Sequence, residues 1–279
     1  MIDQIKKSSI ILLLLLVLYI VFTSENKWEA FKIIISAGAI ALFIRTFFFQ
    51  PFTIPSGSMI PTLLIGDFIF VSQYKYGYSK YSLPFSLPLI KGRILEKKPK
   101  RGDVVVFKTP NDNRTDYVKT LIGLPGDKIQ VKDGMLYINN TIVDRDSILN
   151  SSIKVHNNYL NEFDYVEILP NGKKHIVREL KGDNSSSDNT IVYTVPENNF
   201  FLMGDNRDNS IDSRVLNYVG FVPFENLIGK AEIIFFSIDK KDYGLRNFWK
   251  WRIRFDRIGK ILNKKVNMYY ESWWIWEKN

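Results

Sequence analysis

The strongest constraint on this chain lies at its amino end. Two apolar stretches, Ile10–Phe22 and Ile33–Phe49, fall within the first fifth of a 279-residue sequence. The first is 13 residues long, and flanking Ser and Thr extend it over residues 8–24, about the minimum for a bilayer span. The second is 17 residues long and carries one charge, Arg45, close enough to its C-terminal end to snorkel toward an interface. Joined by the short loop Ser24–Lys32, the two predict a transmembrane helical hairpin, with a single span as the competing arrangement. A signal peptide also competes for the first stretch, because Lys6 and Lys7 precede it. However, no small-x-small cleavage pattern follows it before Glu25, Asn26, Lys27 and Trp28. Lys6 and Lys7 are balanced by Lys27 and Lys32, so the positive-inside rule does not choose an orientation. A hairpin would leave the N-terminus and the large C-terminal part on one side.

No comparable run follows, which excludes a many-span membrane protein. From Gln50 onward the pattern changes to short apolar runs between turn signals. Strands are expected at Phe68–Ser72, Asp103–Phe107, Lys128–Val131, Met135–Ile138, His175–Glu179, Ile191–Val195, Phe200–Met203 and Ala231–Phe236. Asp133-Gly134 between two of them is a hairpin signal. No long amphipathic helix is visible between 51 and 236, so the expected fold class is mainly β. It consists of an N-terminal transmembrane helical hairpin followed by a β-barrel-like body with an inserted subdomain. The divisions are a membrane anchor over 1–50, a β core over 51–140, an insertion over 141–194, a second core part over 195–240 and a tail over 241–279.

Composition narrows the chemistry. The absence of cysteine removes disulfides, thiol nucleophiles and Cys-ligated metals. There are two histidines, His156 and His175, both in the polar stretch 144–190. The formal net charge is +9, yet residues 240–265 hold ten Lys or Arg against two acids. The charge is therefore local, and it argues for a local partner rather than a whole-protein nucleic-acid surface.

Three segments carry candidate chemistry. Pro55-Ser56-Gly57-Ser58-Met59-Ile60-Pro61 directly follows the second apolar stretch. Its glycine permits a bend that can expose a hydroxyl, although an ordinary polar turn reads the same way. In Tyr117-Val118-Lys119-Thr120-Leu121-Ile122-Gly123-Leu124-Pro125-Gly126-Asp127 one lysine lies in an apolar strand. Burial would lower its pKa and make a neutral amine available; a snorkelling strand lysine is the alternative. Gly204-Asp205-Asn206-Arg207-Asp208-Asn209-Ser210-Ile211-Asp212-Ser213-Arg214 is dense in polar side chains. It lacks the glycine and closing glutamate of an EF-hand loop, and reads better as a buried polar network.

Taken together and in this order, the three segments resemble the bacterial type I signal peptidases, Ser–Lys dyad serine proteases of the membrane also called leader peptidases. Arg101-Gly102-Asp103-Val104-Val105-Val106-Phe107 also fits that family. The resemblance covers residues 33–140 and 195–236 and is loose elsewhere. It implies a membrane-bound endopeptidase that cleaves N-terminal signal peptides from exported preproteins after an Ala-x-Ala-like site. Ser58 would be the nucleophile and Lys119 the general base. The Ser58 N–H and the Ser56 hydroxyl would form the oxyanion hole. Ser210 would hydrogen-bond the Lys119 ammonium, and Asp212 with Arg214 would form a supporting ion pair. Phe52, Ile54, Met59, Leu63, Tyr117 and Val118 would line the substrate pockets, with the preprotein added as a strand against 52–56 and 116–118. No cofactor or metal is implied. The expected partners are preproteins with signal peptides, membrane lipid and the protein translocation machinery, with no nucleic acid. The expected place is the bacterial inner membrane, multi-pass, with the catalytic domain on the outer face. Related endoplasmic-reticulum enzymes place histidine where Lys119 stands, so the chain sides with the bacterial branch. One departure is Thr120, where the family often has arginine.

The tail interleaves its basic residues with Trp249, Trp251, Trp273, Trp274 and Trp276, a composition suited to a lipid interface. Two other functions compete with the leading one. One is a dedicated secretion or conjugation maturation protease. The other is a non-catalytic membrane-tethered β-domain, for which Ser58 and Lys119 would be dispensable.

Overall fold

The structure is a computed structural model, and it describes residues 26–148, 163–180, 185, 187–239 and 252–262. The expected first span, 8–24, lies outside them, as do the five tail tryptophans.

Helix α1 spans Lys27–Phe47. Its start is set by Asn26, whose side chain accepts the Glu29 N–H at 3.3 Å. A Lys32–Glu29 pair at 3.2 Å lets the first turns stay polar. The helix thus begins six residues before the expected boundary at Ile33. It also ends sooner, because Phe49 belongs to the first strand rather than to the span. At 21 residues it is long and apolar enough to cross a membrane. Helix α1 and the described residues from Phe49 onward fall into separate compact units.

The second unit is mainly β. In chain order its strands are β1 Phe49–Thr53, β2 Asp67–Ser72, β3 Tyr78–Ser79, β4 Arg93–Ile94, β5 Val104–Lys108 and β6 Asp116–Gly123. Then follow β7 Lys128–Lys132, β8 Met135–Ile138, β9 Thr141–Ile142, β10 Asp144–Ser147, β11 Asp164–Ile168 and β12 Lys174–Arg178. The last are β13 Tyr193–Thr194, β14 Asn199–Met203, β15 Val222–Pro223, β16 Leu227–Asp239 and β17 Arg252–Ile253. The main sheet runs β1-β2-β16-β5-β6-β14-β15, with β17 paired to β16. Every pairing in it is antiparallel. The 13-residue β16 changes register at Ala231/Ile233 and Ile234/Phe236 against β2, and again against β5. Such bulges bend and twist a strand, and they curl this sheet.

The unbroken apolar run of β5 follows from its place at the sheet's centre. Val104 and Val106 enter a core with Ile54, Met59, Leu63 and Ile69. Val105 and Phe107 point the other way, into a core with Leu121, Leu202 and Val222. Period-2 alternation with both faces covered demands apolar residues throughout. A third core joins Ile122, Ile129, Leu136, Leu169 and Phe201. The Asp133-Gly134 hairpin forms between β7 and β8, with φ of 47° and 72° at the two turn residues. That is the geometry that favours Asp-Gly.

The polar stretch 144–190 holds more regular structure than the one strand expected in it, His175–Glu179. It contains a three-stranded sheet, β10-β11-β12. Its strands are polar because much of their burial is through ion pairs, such as Arg178 with Asp164 at 2.6 Å. The insertion is also stitched into its surroundings at both ends, since β9 pairs β8 and β13 pairs β7.

Candidate active site

The turn holding Ser58 connects β1 to β2 and is closed from beneath. Ile54 N–H donates to the Asp67 carbonyl at 2.9 Å, and Gly66 N–H to the Ile54 carbonyl at 2.9 Å. Met59 and Leu63 anchor the turn in the core. Gly57 is not in the left-handed region. Its small size matters instead, because a Cβ there would lie 3.0 Å from Ile60 Cδ1. The Ser58 hydroxyl is thereby presented to β6.

Lys119 lies on β6 opposite Val105 and is only 2% exposed. Its Nζ donates to Ser58 Oγ at 2.6 Å. Burial is the largest influence on the amine and lowers its pKa to about 8, with Asp212 and Asp205 pulling upward and Arg214 pulling downward. No carboxylate comes within ion-pair distance of it among the described residues. The pocket therefore holds a lysine whose pKa is lowered to about 8 beside a serine hydroxyl.

Asp212 and Arg214 pair with each other, through Nε to Oδ1 and Nη2 to Oδ2, both at 2.9 Å. Burial opposes the Asp212 charge. Arg214, Lys119 and the Gly204 N–H overcome it and hold the carboxyl down at about 2. Arg214 also donates to the Arg207 carbonyl at 2.6 Å, which fixes the loop between them. Ser56 Oγ sits 3.5 Å from Ser58 Oγ. Ser210 differs from its expected role: its buried hydroxyl has no hydrogen-bond partner among the described residues, and Lys119 bonds Ser58 instead. Ser210 packs on Gly204, where a Cβ would overlap Ser210 Oγ and approach the Ser58 carbonyl oxygen to 2.6 Å. The three acids of this segment go to different partners: Asp205 to Thr120, Asp208 to the Leu180 N–H and Asp212 to Arg214.

Of the expected pocket residues, Ile54, Met59 and Leu63 are core. Phe52, Tyr117 and Val118 keep some exposure. Strand β1 ends the main sheet, and β14 pairs β6 only at Thr120, Leu121 and Gly123. Residues 116–118 thus have one unpaired edge among the described residues.

Sequence reasoning did not find several supporting groups. Asn206 donates its N–H to the Ser58 carbonyl at 3.1 Å and its side-chain amide to the Gly57 carbonyl at 3.0 Å. Its place inside the third motif was the available signal. Asp67 takes Arg257 of the tail at 2.6 Å and Ser237 at 2.7 Å. Part of the basic cluster is therefore buried against the body rather than presented to lipid. One acidic group, Glu179, Asp188 and Asp208, has ligand-capable oxygens within 4.8 Å of one another. Burial pushes Glu179 up to about 8, and the Arg145 guanidinium lies 3.8 Å away.

A membrane-length helix leading into a mainly β body fits a membrane-associated peptidase. The family model for signal peptidase, peptidase S26, matches residues 27–236, and the chain belongs to that family. It is 43% identical over 257 residues to signal peptidase I of Rickettsia rickettsii (strain Sheila Smith), covering 86% of this chain and 94% of that protein. The corresponding protein of Rickettsia typhi (strain ATCC VR-144 / Wilmington) is 42% identical over the same shares. A solved signal peptidase I from Enterococcus faecalis V583 is 30% identical and covers 48% of this chain and 97% of its own, with a TM-score of 0.29.

Proposed function

We propose that the chain is a membrane-bound endopeptidase that removes signal peptides from exported preproteins with a Ser58–Lys119 dyad. The observation that carries this is the 2.6 Å contact between Ser58 Oγ and a buried amine with a pKa of about 8. Near neutrality a fraction of Lys119 is uncharged and can accept a proton.

In the first step Ser58 Oγ attacks the scissile carbonyl carbon while Lys119 takes the hydroxyl proton. The carbonyl oxygen becomes an oxyanion, for which the Ser58 N–H and the Ser56 hydroxyl are the available donors. Collapse breaks the C–N bond, and the Lys119 ammonium gives its proton to the departing amine. This leaves the signal peptide as an ester on Ser58. Water then attacks the ester with Lys119 again as base, which frees a carboxylate end and regenerates the serine.

The preprotein is read as an added strand. The outer edge of β1 and the unpaired edge at 116–118 supply main-chain groups on either side of the dyad. Phe52, Tyr117 and Val118 line this approach, above the core formed by Ile54, Met59 and Leu63. Apolar residues close to the backbone leave shallow space, which favours small side chains of the Ala-x-Ala type. Helix α1 anchors the chain in the inner membrane, and the β body faces the outer side, where exported chains emerge.

The test is cleavage of a purified preprotein with an Ala-x-Ala site by the detergent-solubilised chain, beside its Ser58→Ala and Lys119→Ala variants. The parent is expected to cut after the small residue, and both folded variants to be inactive. An inert parent, or variants that cut equally well, contradicts the reading.

A further inference from the structure

Behind the dyad lies a largely buried group, 10% exposed at its side chain, that the proposed chemistry does not use. His175 is on β12, in the inserted sheet, and its Nε2 is 3.0 Å from Glu167 Oε2 on β11. Its Nδ1 is 3.6 Å from Asp205 Oδ1, at ion-pair rather than hydrogen-bond distance. Asp205 Oδ1 also accepts the Thr120 hydroxyl at 2.6 Å, and Thr120 directly follows Lys119. The next residue, Asn206, holds the Ser58 turn through the Ser58 and Gly57 carbonyls. The two-residue segment Asp205-Asn206 therefore bonds Ser58 directly and reaches Lys119 through the adjoining Thr120. The Asp205 carbonyl accepts the Arg178 N–H at 2.7 Å, so the same segment is also bound to the edge of β12.

We propose that His175, as an imidazolium between Glu167 and Asp205, is a positioning residue for Ser58 and Lys119, through which the inserted sheet holds the dyad in place. This rests on the dyad reading above. Two carboxylates face one ring, and a doubly protonated ring would donate to Glu167 while setting its charge at ion-pair distance from Asp205. Burial alone would lower the pKa of His175; Asp205 and Glu167 outweigh it and raise it. The other charges facing this junction are Arg207, which donates to Glu167 at 2.6 Å, Lys173 ahead of β12, and Lys119 itself. Thr120 gives Asp205 a neutral donor, so a cation from another element is needed to balance that carboxylate.

The sign of the coupling gives a diagnostic. Asp205 raises the pKa of Lys119. Removing the imidazolium leaves Asp205 less compensated and raises it further, whereas removing the Asp205 charge lowers it. General structural damage has no reason to move the two in opposite directions.

The experiment compares the full-length parent, His175→Gln, Asp205→Asn and Ser58→Ala in detergent, cleaving an Ala-x-Ala preprotein across a pH series. For H175Q we expect kcat to fall about tenfold with KM within about twofold, and the acidic limb of kcat/KM to move up by about half a pH unit. For D205N the limb moves down. In the parent, nitrogen NMR of 15N-labelled histidine, assigned with His156→Gln, shows His175 protonated on both ring nitrogens at about pH 7. This last readout needs no variant at His175 to fold. A neutral His175 ring, an H175Q profile that superimposes on the parent, or limbs that move in the same direction overturn the inference. If S58A is dead while H175Q matches the parent, only this inference falls. An inert parent or an active S58A overturns the dyad reading and this inference with it.

Discussion

The dyad pocket and the pin between Asp67 and Arg257 place two cations at almost equal depth, 2% exposed for Lys119 and 1% for Arg257. Their surroundings differ. Arg257 meets Asp67 through Nε at 3.0 Å and Nη2 at 2.6 Å, and gives a further bond to the Thr62 carbonyl at 3.0 Å. Lys119 meets a neutral hydroxyl. A guanidinium does not give up its proton in proteins, so an adjacent carboxylate is what makes its burial tolerable. An amine without such a neighbour responds to burial by losing affinity for its proton. Burial in one case fastens the tail to the sheet, and in the other leaves an amine that gives up its proton more readily.

The sharpest way to break this comparison is Lys119→Arg. It keeps a cation at the site and removes the titratable amine. Cleavage per folded molecule is expected to fall by at least about 10⁴-fold, with the melting temperature also lowered because the buried guanidinium has no carboxylate beside it. Residual cleavage above a few per cent would show that proton acceptance by Lys119 is not required.

A different pattern is expected at the pin. Asp67→Ala leaves Arg257 buried without its carboxylate and also frees the Leu64 N–H and the Ser237 hydroxyl. The expected loss is about 3–5 kcal/mol of stability in urea unfolding, with cleavage per folded molecule retained. A variant as stable as the parent would mean that the pair contributes nothing net.

Gly204→Ala tests how tightly the pocket is fitted. The new methyl must displace Ser210 or the Ser58 carbonyl. A shift of this size is expected to lower kcat about 10²-fold, with little change in substrate affinity. Parent-like kcat would show that the turn can yield without moving the hydroxyl.

The smallest effect concerns electrostatics. Asp212 raises the Lys119 pKa and Arg214 lowers it. Asp212→Asn removes the upward pull and leaves Arg214 unpaired, so the acidic limb of the kcat/KM profile should move below that of the parent. A limb that moves up would contradict the charge assignment.

Much of this was legible in the sequence, because each of the three motifs is local. The Ser58 turn, the β6 strand and the 204–214 segment are each continuous runs, and apolar runs exposed β2 and β5 to within a residue, whereas β16, Leu227–Asp239, extends well beyond the expected Ala231–Phe236. The strand expected at Phe68–Ser72 is β2, Asp67–Ser72, and that at Asp103–Phe107 is β5, Val104–Lys108. Of the inserted sheet only β12, Lys174–Arg178, was legible, as the strand expected at His175–Glu179; β10 reads DRDS and gave no signal. The sheet's burial rests on charge pairing, which has no sequence period. The Asp67–Arg257 contact joins residues 190 apart and had no local signal. The start of α1 was misplaced because hydropathy registers the first apolar residue, whereas the helix starts at its cap, Asn26.

The account's central claim is that burial converts Lys119 into a base that works near neutrality. The pH dependence of preprotein cleavage under kcat/KM conditions tests it most directly. A base must be unprotonated to act, so the rate should rise about tenfold per pH unit below the Lys119 pKa and level off above about 8. A profile flat across this range, or one still rising at the ordinary lysine pKa of 10.5, would contradict the claim.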